Sequence, residues 1–149
     1  MDKEFDEIVK DIINNEVFLD LKNYKHHGIT RYEHCLRVGK MTYKIAKKHK
    51  LRYIEATRAA VLHDCFFIRY QEINIINKIK TIIIHPRLVI NEQSERFNIN
   101  KFEQKMILSH MFPVGIHIPL SFEAWVLNYV DHVASIYERL ILPFKKKMN

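Results

Sequence analysis

Ala59-Ala60-Val61-Leu62-His63-Asp64 is the stretch on which the reading of this chain turns. It is an apolar run within a segment that begins at about Ile54, and the small side chains of Ala56, Ala59 and Ala60 allow close packing against neighbours. The run predicts a central helix from about Ile54 to Phe66. Near its carboxyl end the helix delivers two adjacent side chains of metal-binding type, His63 and Asp64. Neighbours on a helix project about 100° apart, so both reach one ion only if it lies between their directions. The pair gains weight from four residues of the same kind at wide spacing: His34, His85, His110 and Asp131.

Upstream, Phe5, Ile8, Ile12, Ile13 and Val17 recur at three and four, which predicts one amphipathic helix over residues 3–19, with its acids early. Lys22 to Gly28 reads as a connection. Thr30-Arg31-Tyr32-Glu33 is a capping box, in which the hydroxyl and the carboxylate satisfy exposed amides at a helix start. The helix it opens runs to about Lys50. His34 falls in its first turn, with Arg31 three residues earlier on the same face. Downstream, Phe67 to Ile84 is rich in isoleucine and fits a buried helix or a strand equally. Proline favours the first helical position, so His85-Pro86 predicts His85 at the cap of a helix running to about Phe97. Asn100 to Glu103 resembles a second capping box, and the helix after it ends at His110, before Pro113. After a loop from Val114 to Leu120, Ser121 caps a last helix through about Leu142, with Asp131 in its middle.

Three glycines and four prolines leave little turn chemistry for a many-stranded sheet. Helices are therefore favoured. One domain is expected over residues 1–149: an acidic helix in 1–20, a core carrying the site in 30–138 and a basic tail in 143–149. The length suffices for one hydrophobic core, and 48% hydrophobic with 28% charged residues is a globular composition. No apolar run approaches the roughly 20 residues that span a bilayer. The acidic start, Met1 to Glu7, lacks the pattern of a signal peptide, so a cytoplasmic protein without a membrane partner is expected. Cys35 and Cys65 make neither a disulfide framework nor a zinc spacing, and read as small buried apolar residues.

The net charge of +7 is uneven. Residues 1–20 hold seven acids against two lysines, a net of −5, and the remainder therefore carries +12. Such a body suits an anionic partner, whether a phosphate ester, a nucleotide or RNA. It equally describes a solvated, lysine-rich surface. No RNA-binding motif with interleaved aromatics is present.

The chain resembles the HD superfamily of metal-dependent phosphohydrolases from about Thr30 to Glu138. The resemblance is carried by Thr30-Arg31-Tyr32-Glu33-His34, Leu62-His63-Asp64, His85-Pro86, Ile107-Leu108-Ser109-His110-Met111-Phe112-Pro113 and Tyr129-Val130-Asp131. It implies an all-α fold, a bundle of about six to seven helices with a metal site between them, and one or two divalent transition metal ions. His34, His63, Asp64 and Asp131 would bind the first ion. His85 and His110 would serve a second, with Asp64 as the bridge. His117, in the loop after His110, is a further candidate ligand. Imidazole and carboxylate suit iron, manganese, zinc, nickel and cobalt alike.

The activity implied is hydrolysis of a phosphate mono- or diester, such as a nucleotide, by a metal-activated water. Asp64 and Arg31 are the catalytic candidates, with Arg37 and Lys78 as further cations for the phosphate. Many members carry Lys after the last Asp, where this chain has His132. Two other readings share the ligand pattern: a di-iron oxygenase, and a non-catalytic module that senses a nucleotide or RNA through a retained metal site.

Overall fold

The computed structural model describes residues 2–26, 28–67 and 75–143, and of residues 26 and 75–78 the backbone alone. The first segment is not one helix but three: α1 (Lys3–Ile8), α2 (Lys10–Ile13) and α3 (Glu16–Leu19), then a 3-10 turn, Asp20–Asn23. The cause of the main break is Asn15. Its backbone is extended and its side chain accepts the Val17 N–H at 3.0 Å, which starts a new helix rather than continuing the old one. The apolar spacing survives, and Phe5, Val9, Ile12 and Phe18 are all buried. The connection that follows holds a two-residue antiparallel pairing of β1 (Lys25–His26) with β2 (Ile29–Thr30), Lys25 opposite Thr30. Gly28 turns it at φ +86°, in the left-handed region that favours glycine.

The capping box at Thr30 opens α4 (Arg31–Lys48) as expected: Thr30 Oγ1 accepts the Glu33 N–H, and Glu33 Oε2 accepts the Thr30 N–H at 2.8 Å. Next comes α5 (Tyr53–Leu62), the central helix, in which Ala56, Ala59 and Ala60 have no exposed surface. It packs tightly on α4 because Gly39 of α4 lacks a Cβ; one built there would overlap Val61 Cγ2. The isoleucine-rich run resolves, in its described part, into α6 (Ile75–Gln93). This helix continues through Pro86 instead of starting there, so His85 lies inside a helix and not at a cap. Proline supplies no N–H at that point, but the isoleucine pattern before it and Leu88, Val89 and Ile90 after it hold one helical course. Nor is the run wholly buried, since Ile79, Ile83 and Ile84 are exposed.

A second capping box forms at Asn100, where Glu103 Oε2 accepts the Asn100 N–H at 2.8 Å, and opens α7 (Lys101–Ser109). Ser121 caps α8 (Phe122–Ile136), which runs on into a π-helical turn, Tyr137–Ile141. Among the described residues there are thus eight α-helices, the excess over six to seven coming from the divided amino-terminal segment. One buried cluster unites Phe5, Val38, Val61, Met106 and Leu127 from five of these helices. No helix among the described residues is long and apolar enough to cross a membrane. The Lys145-Lys146-Lys147 tail lies outside the described residues.

Candidate metal centre

The helix α5 stops at Leu62, one residue short of the pair it serves. His63 keeps helical angles at the cap, and the Cys65 N–H returns to the Leu62 carbonyl at 2.9 Å. This turn lets His63 and Asp64 face a common centre. The other four side chains arrive from separate helices: His34 from the first turn of α4, His85 from the middle of α6, His110 from the cap of α7 and Asp131 from the buried face of α8. All six are buried.

The contacts are close. Asp131 Oδ1 lies 3.1 Å from His34 Nε2 and 3.5 Å from His63 Nε2. Asp64 Oδ1 lies 3.2 Å from His85 Nε2 and 3.8 Å from His110 Nε2, while its Oδ2 faces His63 Nε2 at 3.8 Å. Three groups of donor atoms, each within 4.8 Å of one another, can hold an ion: His34, His63 and Asp64; His63, His110 and Asp131; Asp64, His85 and His110. Cys35, Cys65 and His117 enter none of these. Burial pushes the Cys65 thiol up to about 12 and that of Cys35 well above its usual value, which leaves both as inert apolar residues.

The rings are oriented by their other nitrogens. His63 Nδ1 donates to the Ala60 carbonyl at 2.7 Å, His110 Nδ1 to the Ile107 carbonyl at 2.7 Å and His85 Nδ1 to the Thr81 carbonyl at 3.0 Å. A carbonyl only accepts, so each Nδ1 carries a proton, and in the neutral ring each Nε2 presents its lone pair to the centre. His63 Nε2 is buried and has no hydrogen-bond partner. His85 Nε2 and His110 Nε2 face each other at 2.9 Å. Two lone pairs at that distance repel unless a proton or a metal ion lies between them. Nitrogens each about 2.1 Å from one ion and at right angles would stand roughly 3 Å apart. The donor set therefore fits a metal ion.

The charges of these side chains are arranged accordingly. Burial opposes the imidazolium of His34, yet hydrogen bonds to Asp131 and Glu138 outweigh it and raise its pKa to about 10. Burial and the neighbouring His63 and His85 lower His110 to about 3, so its ring stays neutral. Burial alone would raise Asp131, but the bond from His34 and the neighbouring imidazoles of His63 and His110 hold it well below the carboxylate range.

Glu138, fully buried, was not anticipated as part of the site. Its Oε2 accepts from His34 Nδ1 at 2.8 Å, giving that ring the anchor that backbone carbonyls give the other three. The signal lay in its spacing. Glu138 follows Asp131 by seven residues, two turns on one helical face. Arg37 is engaged there, its guanidinium 3.3 Å from Glu138 Oε1 and over the Tyr137 ring. Arg31 stands at the edge of the centre: Nη1 donates to the Phe66 carbonyl at 2.5 Å and the guanidinium lies 4.0 Å over the Phe66 ring, which also meets His85. His117 lies near Arg87, at 3.5 Å. The Lys78 side chain is outside the described residues.

A family model described as HD domain matches residues 31–136, most of the chain and every one of the six gathered residues. The chain belongs to the HD domain family. No curated protein and no solved structure matches it. In this HD domain the all-α fold expected from the resemblance is the fold observed. His132 has its Nδ1 on the Asn128 carbonyl at 2.7 Å, with its ring half-exposed beside the centre's helix.

Proposed function

We propose that this HD domain is a metal-dependent phosphohydrolase that cleaves a phosphate mono- or diester, a nucleotide being one such substrate. The observation that carries the reading is the position of Asp64. Its two oxygens face two different sets of nitrogens, His63 on one side and His85 with His110 on the other. A carboxylate so placed suits a bridge between two ions. His34, His63 and Asp131 would complete one position; His85 and His110 would complete the other.

Bound divalent ions supply charge neutralisation at phosphoryl oxygens and a water acidified to near neutral pH. The chain's own part is orientation. The Nδ1 bonds hold all four imidazoles in fixed tautomers, and burial keeps bulk water from competing for the Nε2 atoms. Arg31 is the cation placed to meet a phosphate at the rim, and its buried Nε has no hydrogen-bond partner. The donor set does not choose among iron, manganese, zinc, nickel and cobalt.

Elemental analysis of the purified protein, followed by a panel of phosphomonoesters, phosphodiesters and nucleotides, tests the proposal. One or two equivalents of a transition metal are expected, with phosphate release that Asp64→Ala abolishes together with metal retention. Protein free of transition metal, or Asp64→Ala with full metal and turnover, overturns it. Two irons, a dioxygen-dependent spectrum and no phosphate release would put the oxygenase in its place.

A further inference from the structure

The outer face of α8 is apolar along its whole length. Phe122, Trp125, Tyr129, Ile136 and, in the π-helical turn, Leu140 succeed one another at helical spacing, and half-buried Val133 fills the gap between the third and fourth. Their exposures are 78, 46, 62, 56 and 60%. The three acids of the segment, Glu123, Asp131 and Glu138, are all buried. Between Ser121 and Tyr137 this face therefore carries no Lys, Arg, Asp or Glu. A helix face meant for water reads differently in the same chain: α4 turns Lys40, Lys44, Lys47 and Lys48 outward.

We propose that this face docks a second copy of the chain, the two α8 helices packing antiparallel across a two-fold axis near His132 and Val133. Area favours it. With roughly 150–250 Å² for each aromatic side chain, the three aromatics leave about 400 Å² open, and the two aliphatic residues bring the patch to about 600 Å². That is the upper end of what a monomer exposes. Two such patches bury about 1,200 Å², where stable interfaces begin.

Composition favours a protein partner too. Interface centres are rich in aromatics and poor in charge, whereas a lipid surface selects helices ringed by lysine and arginine. Among the described residues of this segment the one Lys or Arg is Arg139, at one end. The stripe is also graded, aromatic at its start and aliphatic at its end. An antiparallel pair about this axis sets Trp125 and Tyr129 of each copy against Leu140 and Ile136 of the other, a self-complementary match of the kind two-fold symmetry requires. A parallel pair would set Arg139 against its own copy and align the two helix dipoles.

Trp125 is the chain's only tryptophan and lies in the patch, so its emission reports docking directly. Sedimentation velocity and Trp125 fluorescence of the full chain, as purified, are followed across a wide concentration range. Twice the chain mass is expected at high concentration, with a blue shift of the emission as the dimer forms. Tyr129→Glu and Ile136→Lys, both exposed positions on an otherwise unchanged helix, are each expected to give a monomer with red-shifted emission and unaltered circular dichroism.

Register is tested by single cysteines. Val133→Cys is expected to cross-link to its own copy under mild oxidation, and Phe122→Cys is not, because only residues at the axis face themselves. A chain mass unchanged at every concentration overturns the proposal. So does a blue shift seen only with anionic phosphatidylserine vesicles, which would assign the face to a membrane. Cross-linking at position 122 overturns the antiparallel arrangement.

Discussion

His34 is where burial, charge and ligand chemistry meet. Its ring lies between Asp131 and Glu138, and in the metal-free protein its pKa is raised from 6.5 to about 10. A pKa raised on folding contributes stability that is complete below the unfolded value and is lost as pH rises through the folded one. The metal-free protein is therefore expected to melt at progressively lower temperature from pH 6.5 to 10. A metal taking Nε2 must displace that proton, so the gain in Tm on adding metal should widen over the same window. Paired melting scans with and without metal check both, and a flat metal-free profile would count against the arrangement. Glu138 enters through the same ring. Removing its negative charge in Glu138→Gln is expected to weaken metal binding by about 10–100-fold, measured by chelator competition, with helix content unchanged. At this scale the six gathered residues were legible, because motif and order name them. Glu138 was not, since its spacing of seven from Asp131 marks a shared helical face without naming His34 as the partner.

The helices were read best where side chains do local work. Thr30 with Glu33 and Asn100 with Glu103 form the boxes their spacing predicts, because a cap is decided within four residues. Where two local rules compete, the sequence alone does not decide between them. Asn15 fits the end of an amphipathic pattern or the cap of a new helix, and its side-chain bond to Val17 decides for the cap. Pro86 fits a helix start or an interruption, and the apolar pattern on both sides decides for continuity. Gly39 shows a third case, a residue whose role lies in another helix. Its missing Cβ admits Val61, and both positions are fully enclosed between α4 and α5. Val61 is β-branched and has little freedom to turn away. Gly39→Ala is expected to destabilise the fold by about 1–3 kcal/mol, read from urea unfolding. Because α4 carries His34 and α5 precedes His63, it should lower metal retention too. Unchanged stability would mean that the two helices are not held at this distance.

Charge organises the molecule as a whole. The acidic amino-terminal segment does not stand apart from the basic body but lies on it. Glu4 is bound by Lys47, Tyr43 and Tyr53, and Asp11 meets Arg58 through two nitrogens at 2.7 and 2.9 Å. Part of the −5 carried by residues 1–20 is thus spent on α4 and α5 cations, while the chain keeps a total of +7. A positive field of this kind raises the encounter rate with anions and is screened by salt, over about 10 Å at 0.1 M and about 3 Å at 1 M. On the phosphate-ester reading, kcat/KM for a dianionic substrate is expected to fall by about tenfold from low salt to roughly 0.5 M. The loss should lie in KM, since the buried centre is shielded from mobile ions and kcat should stay level. Arg31→Ala, which removes a cation at the edge of the centre, should raise KM at low salt and flatten the dependence. Steady-state kinetics at several salt concentrations separate these outcomes. If KM is indifferent to salt in the unaltered protein, the basic body is a solvated surface and substrate recognition rests on the centre and its rim alone.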